Sequence, residues 1–138
     1  MFSWLGRRMV GRNMAALRAG DPGPVLRMDA DDVRFFFPGD SSWSGQLDGK
    51  AEHERWLARF VAVGLATEPD EVVVQGPPWR TTICVRGRSY LRGADGQIVY
   101  DNRYVLWGRL AWGKLKEYEA YEDTQKSRAL DDYLVGRG

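Results

Sequence analysis

The sequence predicts an α+β fold, a cone-shaped α+β barrel with three or four helices packed on the concave side of a curved antiparallel sheet. Apolar residues at helical spacing dominate the first half of the chain, and four strand patterns fill the second half. Short turns separate these late strands, so we expect them to pair antiparallel, with the earlier helices gathered on one face of the sheet. Such a sheet would enclose a cavity beneath the helices.

Two helices and one strand are predicted in the first part of the chain. Residues Trp4 to Ala19 carry apolar side chains at helical spacing with arginines mostly on the opposite side, and Gly20 ends this helix. Asp21-Pro22 begins a short second helix that extends to about Met28. The run from Val33 to Phe37 stops at Pro38-Gly39 and predicts a strand.

A loop from Asp40 to Asp48 leads to the second long helix, Gly49 to Ala66. The apolar face of this helix carries His53, Trp56, Leu57, Phe60, Val61 and Gly64. Four strands follow, at Glu71 to Gln75, Trp79 to Leu91, Ile98 to Leu110 and Leu115 to Asp123. We expect residues 1–138 to form one domain, with an N-terminal helix at 1–20 and a C-terminal helix or tail at 124–138.

The last two strands carry different chemistry on their two faces. Their turn, Ala111-Trp112-Gly113-Lys114, fits a three-residue loop whose glycine is left-handed and opens a bulge. This register pairs even-numbered residues across the hairpin, namely Asn102 with Glu122, Tyr104 with Ala120, and Leu106 with Tyr118. Because the odd-numbered face is much more charged, we expect the even-numbered face to point inward and form one wall of a ligand pocket.

The odd-numbered face is predicted to lie outside. Cross-strand charge pairs such as Arg103 with Glu119 would make it a hydrated surface. Trp107 and Tyr121 lie among these charges, and aromatic residues beside arginine are common in protein interfaces. We therefore expect a homodimer through the outer sheet face, with a monomer as the alternative.

Composition argues against several classes of function. Lysine and arginine total 20 against 19 acidic residues, and they are scattered along the chain, so we expect no binding to nucleic acid or to a membrane. The single cysteine, Cys84, cannot form an internal disulfide, which favours a reducing, cytoplasmic setting. No metal-ligand spacing and no glycine-rich phosphate loop is present, so neither a metal nor a cofactor is implied.

Three stretches of the sequence carry a family resemblance. They are ALRAGDPGPVLRMDADDVRFFFPG, SGQLDGK at the start of a helix, and VYDNRYVLWGRLAWGKLKEYEAYEDTQ. Together they resemble the nuclear transport factor 2-like superfamily, in particular its SnoaL-like polyketide cyclases and ketosteroid isomerase-like branch. The resemblance implies a cone-shaped barrel that binds a small, largely apolar molecule. This superfamily includes isomerases, cyclases, epoxide hydrolases, dehydratases and proteins without catalysis.

The known catalytic positions of that superfamily hold other residues here. The ketosteroid isomerases that resemble this chain have an aspartate that acts as the base at the position of Phe37. They have an acidic hydrogen-bond donor at the position of Leu106, or of Tyr104 on a shifted alignment. The similar limonene epoxide hydrolases use an arginine and two aspartates at positions that correspond to Asn102, Tyr104 and Ala120. The resemblance therefore implies neither of these mechanisms for this chain.

Two residues are the predicted catalysts. His53 is the only histidine, and an imidazole exchanges protons close to neutral pH, although a histidine on an apolar helix face can equally be a hydrogen-bonded core residue. Glu122 should point inward, where burial would raise its pKa, unless it lies solvated at the open end of the sheet. Ligand-binding residues are predicted to be Asn102, Tyr104, Tyr118, Phe35, Phe37, Trp56 and Phe60.

Two hypotheses for function remain open from the sequence. The first is an enzyme that uses cofactor-free acid–base chemistry to isomerise, cyclise or dehydrate a carbonyl compound. The second is a non-catalytic ligand-binding or dimeric interaction module. An enclosed cavity with His53 and Glu122 pointing into it favours the enzyme, whereas a collapsed core of aromatic residues favours the module.

Overall fold

Four helices and one six-stranded sheet make up the structure, a computed structural model that describes residues 2–137. The elements are α1 (Phe2–Arg18), α2 (Gly23–Met28), β1 (Asp29–Phe37), β2 (Gly45–Asp48), α3 (Lys50–Val63), β3 (Ala66–Gln75), β4 (Thr81–Arg92), β5 (Ile98–Ala111), β6 (Lys114–Glu122) and α4 (Thr124–Arg137). Met1 and Gly138, which end the predicted domain, lie outside the described residues. The predicted α+β class is confirmed.

The sheet is curved and mixed, with strand order β2-β1-β6-β5-β4-β3. Every neighbouring pair is antiparallel except β1 and β6, which run parallel. The short strand β2 lies in the stretch predicted as a loop from Asp40 to Asp48. Leu47 is the only large apolar residue among the four of β2, so the alternation that marks a strand is absent. The prediction of a loop was therefore wrong for Gly45 to Asp48.

The hairpin between β5 and β6 turns through two residues, so the predicted three-residue loop was wrong. Ala111 pairs with Lys114, and both central residues have positive φ, 53° at Trp112 and 79° at Gly113. This is the backbone requirement of a type I′ turn, which glycine meets without strain. Between Arg109 and Leu110 the register shifts, because Arg109 faces Glu117 while Leu110 faces Leu115.

That shift explains why the predicted cross-strand pairs were wrong but the predicted faces were right. With a two-residue loop alone, even-numbered residues would pair with odd-numbered ones. Lys116 is the extra residue of the bulge, and beyond it even-numbered residues pair with even-numbered residues again. The observed pairs are Tyr104 with Glu122, Leu106 with Ala120, and Gly108 with Tyr118. Similarly, the predicted Arg103–Glu119 pair was wrong, since Glu119 faces Trp107 and the Arg103 guanidinium lies 3.8 Å from the Asp70 carboxylate.

The core lies between the helices and the inner face of the sheet. β1 buries Val33, Phe35 and Phe37 on one side, as alternation in a strand predicts. Helix α3 buries His53, Leu57 and Phe60 towards them. Helix α1 lies along β3, with its C-terminal Arg18 side chain donating to the Thr67 carbonyl at 3.5 Å. The open space that remains within this core is the candidate site.

Candidate functional site

A cavity of about 80 Å³ lies between the helices and the sheet. Residues from all four helices and from five of the six strands line it. Eight of the nine predicted site residues are among them, namely Phe35, Phe37, His53, Trp56, Phe60, Tyr104, Tyr118 and Glu122. The even-numbered face of the last hairpin therefore points inward, as the sequence predicts.

Asn102, the ninth predicted residue, is not part of the cavity lining. Its side chain is almost completely buried, and its Nδ2 donates to the Tyr100 hydroxyl at 3.1 Å and to the Asp123 carbonyl at 3.0 Å. Both hydrogens of the amide are thereby used. Asn102 fastens the segment between β6 and α4 to β5, instead of contacting a ligand as predicted.

A buried pair of titratable side chains is formed by His53, which lines the cavity, and Asp29, which lies behind it. The His53 Nδ1 and the Asp29 Oδ2 are 2.5 Å apart, and the two side chains are 2% and 0% exposed. A carboxylate accepts hydrogen bonds and does not donate them, so it holds the hydrogen of the neutral imidazole on Nδ1. Within residues 2–137 the other ring nitrogen, Nε2, has no hydrogen-bond partner, and it presents its lone pair for a ligand.

This pair comes from two elements that are distant in the sequence. Asp29 is the first residue of β1, immediately after α2, and shares the inward face of that strand with Val33 and Phe35. His53 is in the first turn of α3, on the face that packs against β1. A buried carboxylate beside Nδ1 orients the ring and stabilises the imidazolium that forms when Nε2 accepts a proton. The arrangement is that of a general base.

Aromatic rings enclose the imidazole. Phe35 stacks on His53 with ring centroids 5.1 Å apart, and its ring also lies 4.9 Å from Tyr118 and 5.1 Å from Trp56. Trp43 meets Trp56 edge-on at 5.6 Å, and the Trp43 Nε1 is buried without a hydrogen-bond partner. These walls are largely apolar and aromatic, a feature that suits a ligand with a flat apolar body.

A second polar group at the cavity is centred on Glu122. Burial raises the pKa of Glu122 to about 7; the hydrogen bond from the Ser127 hydroxyl opposes that rise, and the nearby Asp123 charge adds to it. Burial also raises the pKa of Tyr100 to about 12, with the Glu122 charge as the next cause. Glu122 can therefore be either a neutral acid or a carboxylate near neutral pH, which is the property predicted for it.

Two phenols supply further hydrogen-bonding groups. Burial raises the pKa of both Tyr104 and Tyr118, so each keeps its hydrogen near neutral pH. Tyr104 shares a hydrogen bond of 2.6 Å with the Thr67 hydroxyl, and it can lie across β4 only because residue 87 is glycine. A Cβ atom at Gly87 would stand 2.7 Å from the Tyr104 oxygen.

Comparison with solved structures identifies the fold. The chain superposes on a crystal structure of an NTF2-like protein of unknown function from Burkholderia pseudomallei with a TM-score of 0.73, at 21% identity, covering 91% of this chain and 95% of that one. The chain has the NTF2-like fold. No protein-family model matches the sequence, and no curated protein matches it either.

Two further solved structures superpose on this chain with similar quality. TerC, crystallised with polyporic acid, has a TM-score of 0.73 at 22% identity and covers 91% of this chain and 96% of its own. Bal32a, from a soil-derived mobile gene cassette, has a TM-score of 0.74 at 16% identity, with 95% and 97% covered. Likenesses at these identities establish the fold and leave the activity to the residues of the site.

The NTF2-like fold places uncharged residues where the resemblance expected charges. Phe37, Tyr104 and Ala120 all line the cavity, and none of them is acidic or basic. The buried carboxylate beside His53 is Asp29, which the sequence analysis did not single out. The predicted strand began at Val33, and strict alternation would not have identified Asp29, because Asp31 between them is exposed and the register with β6 shifts between Asp29 and Arg34.

Within residues 2–137, no helix has both the length and the apolar character needed to cross a bilayer. Over the same residues, no cluster of three or more histidine, cysteine, aspartate or glutamate side chains is arranged to hold a metal ion.

The raised pKa of Glu122 predicts a pH dependence of stability that Glu122→Gln abolishes. In the unfolded chain this group loses its proton near the ordinary 4.5, whereas in the folded protein it keeps the proton to about 7. The folded state thus binds more protons between these values, so its stability falls as pH rises; the pKa difference corresponds to about 3 kcal/mol. Urea unfolding at several pH values should show this loss in the wild type and not in Glu122→Gln.

The matched control for this prediction is Asp132→Asn, an exposed carboxylate on α4. It should keep the wild-type pH dependence. A Glu122→Gln profile parallel to the wild-type profile from pH 4.5 to pH 7 would show that Glu122 titrates as a solvated group.

Proposed function

We propose that this protein binds a small, largely apolar carbonyl compound in its cavity and catalyses a cofactor-free proton transfer on it. The observation that carries this proposal is the buried Asp29–His53 pair, joined at 2.5 Å on the wall of an aromatic cavity. An imidazole that a carboxylate holds in an apolar site is a general base, and bulk water does not compete with the substrate for the proton transfer.

The chemistry begins with removal of a proton from the carbon next to the carbonyl. His53 Nε2 accepts that proton, and Asp29 stabilises the imidazolium. The negative charge moves to the carbonyl oxygen, where the hydroxyl of Tyr118 or the neutral acid of Glu122 donates a hydrogen bond. Return of the proton to another carbon is an isomerisation, loss of a β-hydroxyl is a dehydration, and attack on a second carbonyl is a cyclisation.

The size of the cavity limits the ligand. Its volume of about 80 Å³ is roughly half that of an engineered apolar cavity of about 150 Å³ that holds benzene. A small open-chain carbonyl compound fits this space as it stands, and a six-membered ring such as a cyclohexenone requires the aromatic wall to move. The complex of TerC with polyporic acid supports an organic ligand in this fold.

The tight aromatic lining also favours a second candidate, a non-catalytic ligand-binding module. Phe35, Phe37, Trp56 and Phe60 fill much of the space that a larger ligand would occupy. In this alternative the Asp29–His53 pair only completes the hydrogen bonding of a buried histidine. The two candidates differ in whether a bound carbonyl compound is turned over.

A β,γ-unsaturated ketone, 3-cyclohexen-1-one, tests the proposal. Its isomerisation to the conjugated 2-cyclohexen-1-one is followed by ultraviolet absorbance and requires only a base. We expect the wild type to accelerate it and His53→Gln to lose about 10²–10⁴-fold of the acceleration, the usual contribution of a general base. The exposed neighbour on α3 supplies the control, Glu54→Gln, which should retain the wild-type rate.

Binding is measured separately from turnover. The conjugated ketone should quench the fluorescence of Trp43 and Trp56 in the cavity wall, and Trp56→Phe should reduce the quenching. Quenching without isomerisation would assign the protein to the non-catalytic module. Absence of both would contradict a carbonyl-binding cavity.

The predicted homodimer and the predicted cytoplasmic setting belong to this proposal. Val105 and Tyr121 are exposed on the outer sheet face, which supports pairing through that surface. Both remain predictions.

A further inference from the structure

Three exposed tryptophans meet at one end of the molecule, and none of them lines the cavity. Trp4, Trp79 and Trp112 are 57%, 60% and 72% exposed. The rings of Trp79 and Trp112 are 6.1 Å apart, and the Trp112 backbone N–H donates to the Pro78 carbonyl at 2.7 Å. The β3–β4 turn and the β5–β6 turn are therefore joined.

Helix α1 brings Trp4 to the same end. The helix runs antiparallel to β3, because Arg18 contacts the carbonyl of Thr67 while Gly6 packs on Val74 so closely that a Cβ atom would stand 2.6 Å from its Cγ2. Trp4 precedes Gly6, so it lies beyond Val74, where β3 ends and the turn that carries Trp79 begins.

The backbone of Trp112 is unfavourable for a large residue. Its φ of 53° lies in the left-handed region, and Trp112 is the only non-glycine residue between 2 and 137 with a positive φ. Asparagine or glycine is preferred at this position of a type I′ turn. A bulky apolar side chain that is both strained and exposed adds nothing to the core, and such an outlier indicates a function at the surface.

Cations lie on the same segments as these rings, with the Lys114 ammonium turned to the Arg27 carbonyl at 2.9 Å. Arg8 lies over the Trp4 ring at 5.6 Å, Arg7 borders the groove between α1 and β3, Arg80 follows Trp79, and Lys114 follows the second turn. We call this surface, made of Trp4, Trp79, Trp112, Arg7, Arg8, Arg80 and Lys114, the basic tryptophan end.

No acidic residue belongs to the segments that form this end. Residues 1–20, 72–94 and 102–116 contain no aspartate or glutamate. The nearest carboxylates along these strands are already paired, Glu71 with Arg86 at 3.0 Å and Glu117 with Arg109 at 3.4 Å. Basic residues that are scattered along the sequence are thus brought by the fold to one end, and the carboxylates of Asp70 and Glu71 lie further along β3, in the groove that Arg7 borders.

We propose that the basic tryptophan end docks on an anionic lipid surface. Tryptophan favours the boundary between hydrocarbon and water, and lysine and arginine are attracted to anionic headgroups. The rings project from two turn tips and from the start of a helix, an arrangement that inserts into a headgroup layer. A single-stranded nucleic acid requires a groove whose walls carry the stacking rings, whereas Trp79 and Trp112 project from the tips of two turns.

Vesicle sedimentation with the full chain tests this docking. Vesicles of phosphatidylcholine containing one-third phosphatidylserine are compared with vesicles of phosphatidylcholine alone, at low and at high salt. We expect binding to the anionic vesicles only, weakening as salt rises, with a blue shift of tryptophan emission. This docking is independent of the cavity, so isomerisation of 3-cyclohexen-1-one does not depend on it.

Two double variants separate the tryptophans from the charges. Trp79→Ser with Trp112→Asn should lower binding at least about tenfold, and its turn should fold well because asparagine–glycine suits type I′. Arg80→Glu with Lys114→Glu should also lower binding at least about tenfold. Their controls are Tyr121→Ser on the outer sheet face and Lys50→Glu with Arg55→Glu on α3, which should bind as the wild type does.

Three outcomes would overturn the proposal. The first is a wild type that ignores anionic vesicles, and the second is binding that survives loss of Trp79 and Trp112. The third is binding to oligothymidine in place of vesicles, with the same dependence on the tryptophans, which would make this end a nucleic-acid site. Thermal unfolding of each variant confirms that a loss of binding is not a loss of fold.

Discussion

Replacing Asp29 by asparagine is expected to slow isomerisation of 3-cyclohexen-1-one by about 10³–10⁴-fold, the effect of the same change in a carboxylate-held catalytic histidine. The asparagine side chain has the size of aspartate, but its NH₂ group can donate to Nδ1, and that interaction moves the ring hydrogen to Nε2. The base then has no lone pair towards the substrate. Binding of the conjugated ketone should be unchanged, because the Asp29 carboxylate does not line the cavity.

A spectroscopic readout tests the same step without turnover. His53 is the only histidine in the chain, so the ¹⁵N shifts of its ring nitrogens are unambiguous. We expect the wild type to carry its hydrogen on Nδ1 and Asp29→Asn to carry it on Nε2. The control, Asp31→Asn, is an exposed carboxylate on the same strand and should change neither the shifts nor the rate. An unchanged tautomer in Asp29→Asn would remove the pair from the mechanism.

The inward face of the site could be predicted from the sequence because strands alternate. Leu106, Tyr118 and Glu122 follow a period of two, and their opposite face is so charged that it cannot be buried. The exact pairing could not be predicted, because nothing in the sequence around Lys116 indicates a bulge. The face of a hairpin that points inward can therefore be predicted without knowing which residues pair across it.

The Asp29–His53 pair was half predicted for a related reason. A histidine on the apolar face of α3 is visible as an exception to the helical pattern. Its partner is 24 residues earlier, and only the packing of α3 on β1 brings the two together. The strand signal starts at Val33, after two exposed aspartates that hide the alternation of β1. Long-range contacts of this kind leave no local signal.

The basic tryptophan end could not be predicted from the order of residues in the sequence. The composition is nearly neutral, which argued against binding to a membrane. The Trp112–Pro78 hydrogen bond joins two turns, and α1 runs antiparallel along β3. These two features bring cations and tryptophans from three separate segments to one end of the molecule. Net charge describes the whole chain, whereas docking depends on where the fold places the charges.

Phe35 is expected to be the residue whose truncation destabilises the fold most, because its ring connects the base to the aromatic wall. It is 2% exposed and contacts the rings of Phe37, His53, Trp56 and Tyr118. Phe35→Ala should lower the free energy of unfolding by about 3–5 kcal/mol in guanidinium titrations, the range for loss of a buried aromatic ring.

The next residue along β1 provides the matched control. Phe36 has the same side chain but faces the other side of the sheet, where it is half-buried, so Phe36→Ala should have a clearly smaller effect. The space left by Phe35→Ala adjoins the existing cavity, and we expect benzene to stabilise that variant in a concentration-dependent way while leaving Phe36→Ala unchanged. Equal losses of stability in the two variants, or no stabilisation by benzene, would contradict the placing of Phe35 at the centre of the cavity wall.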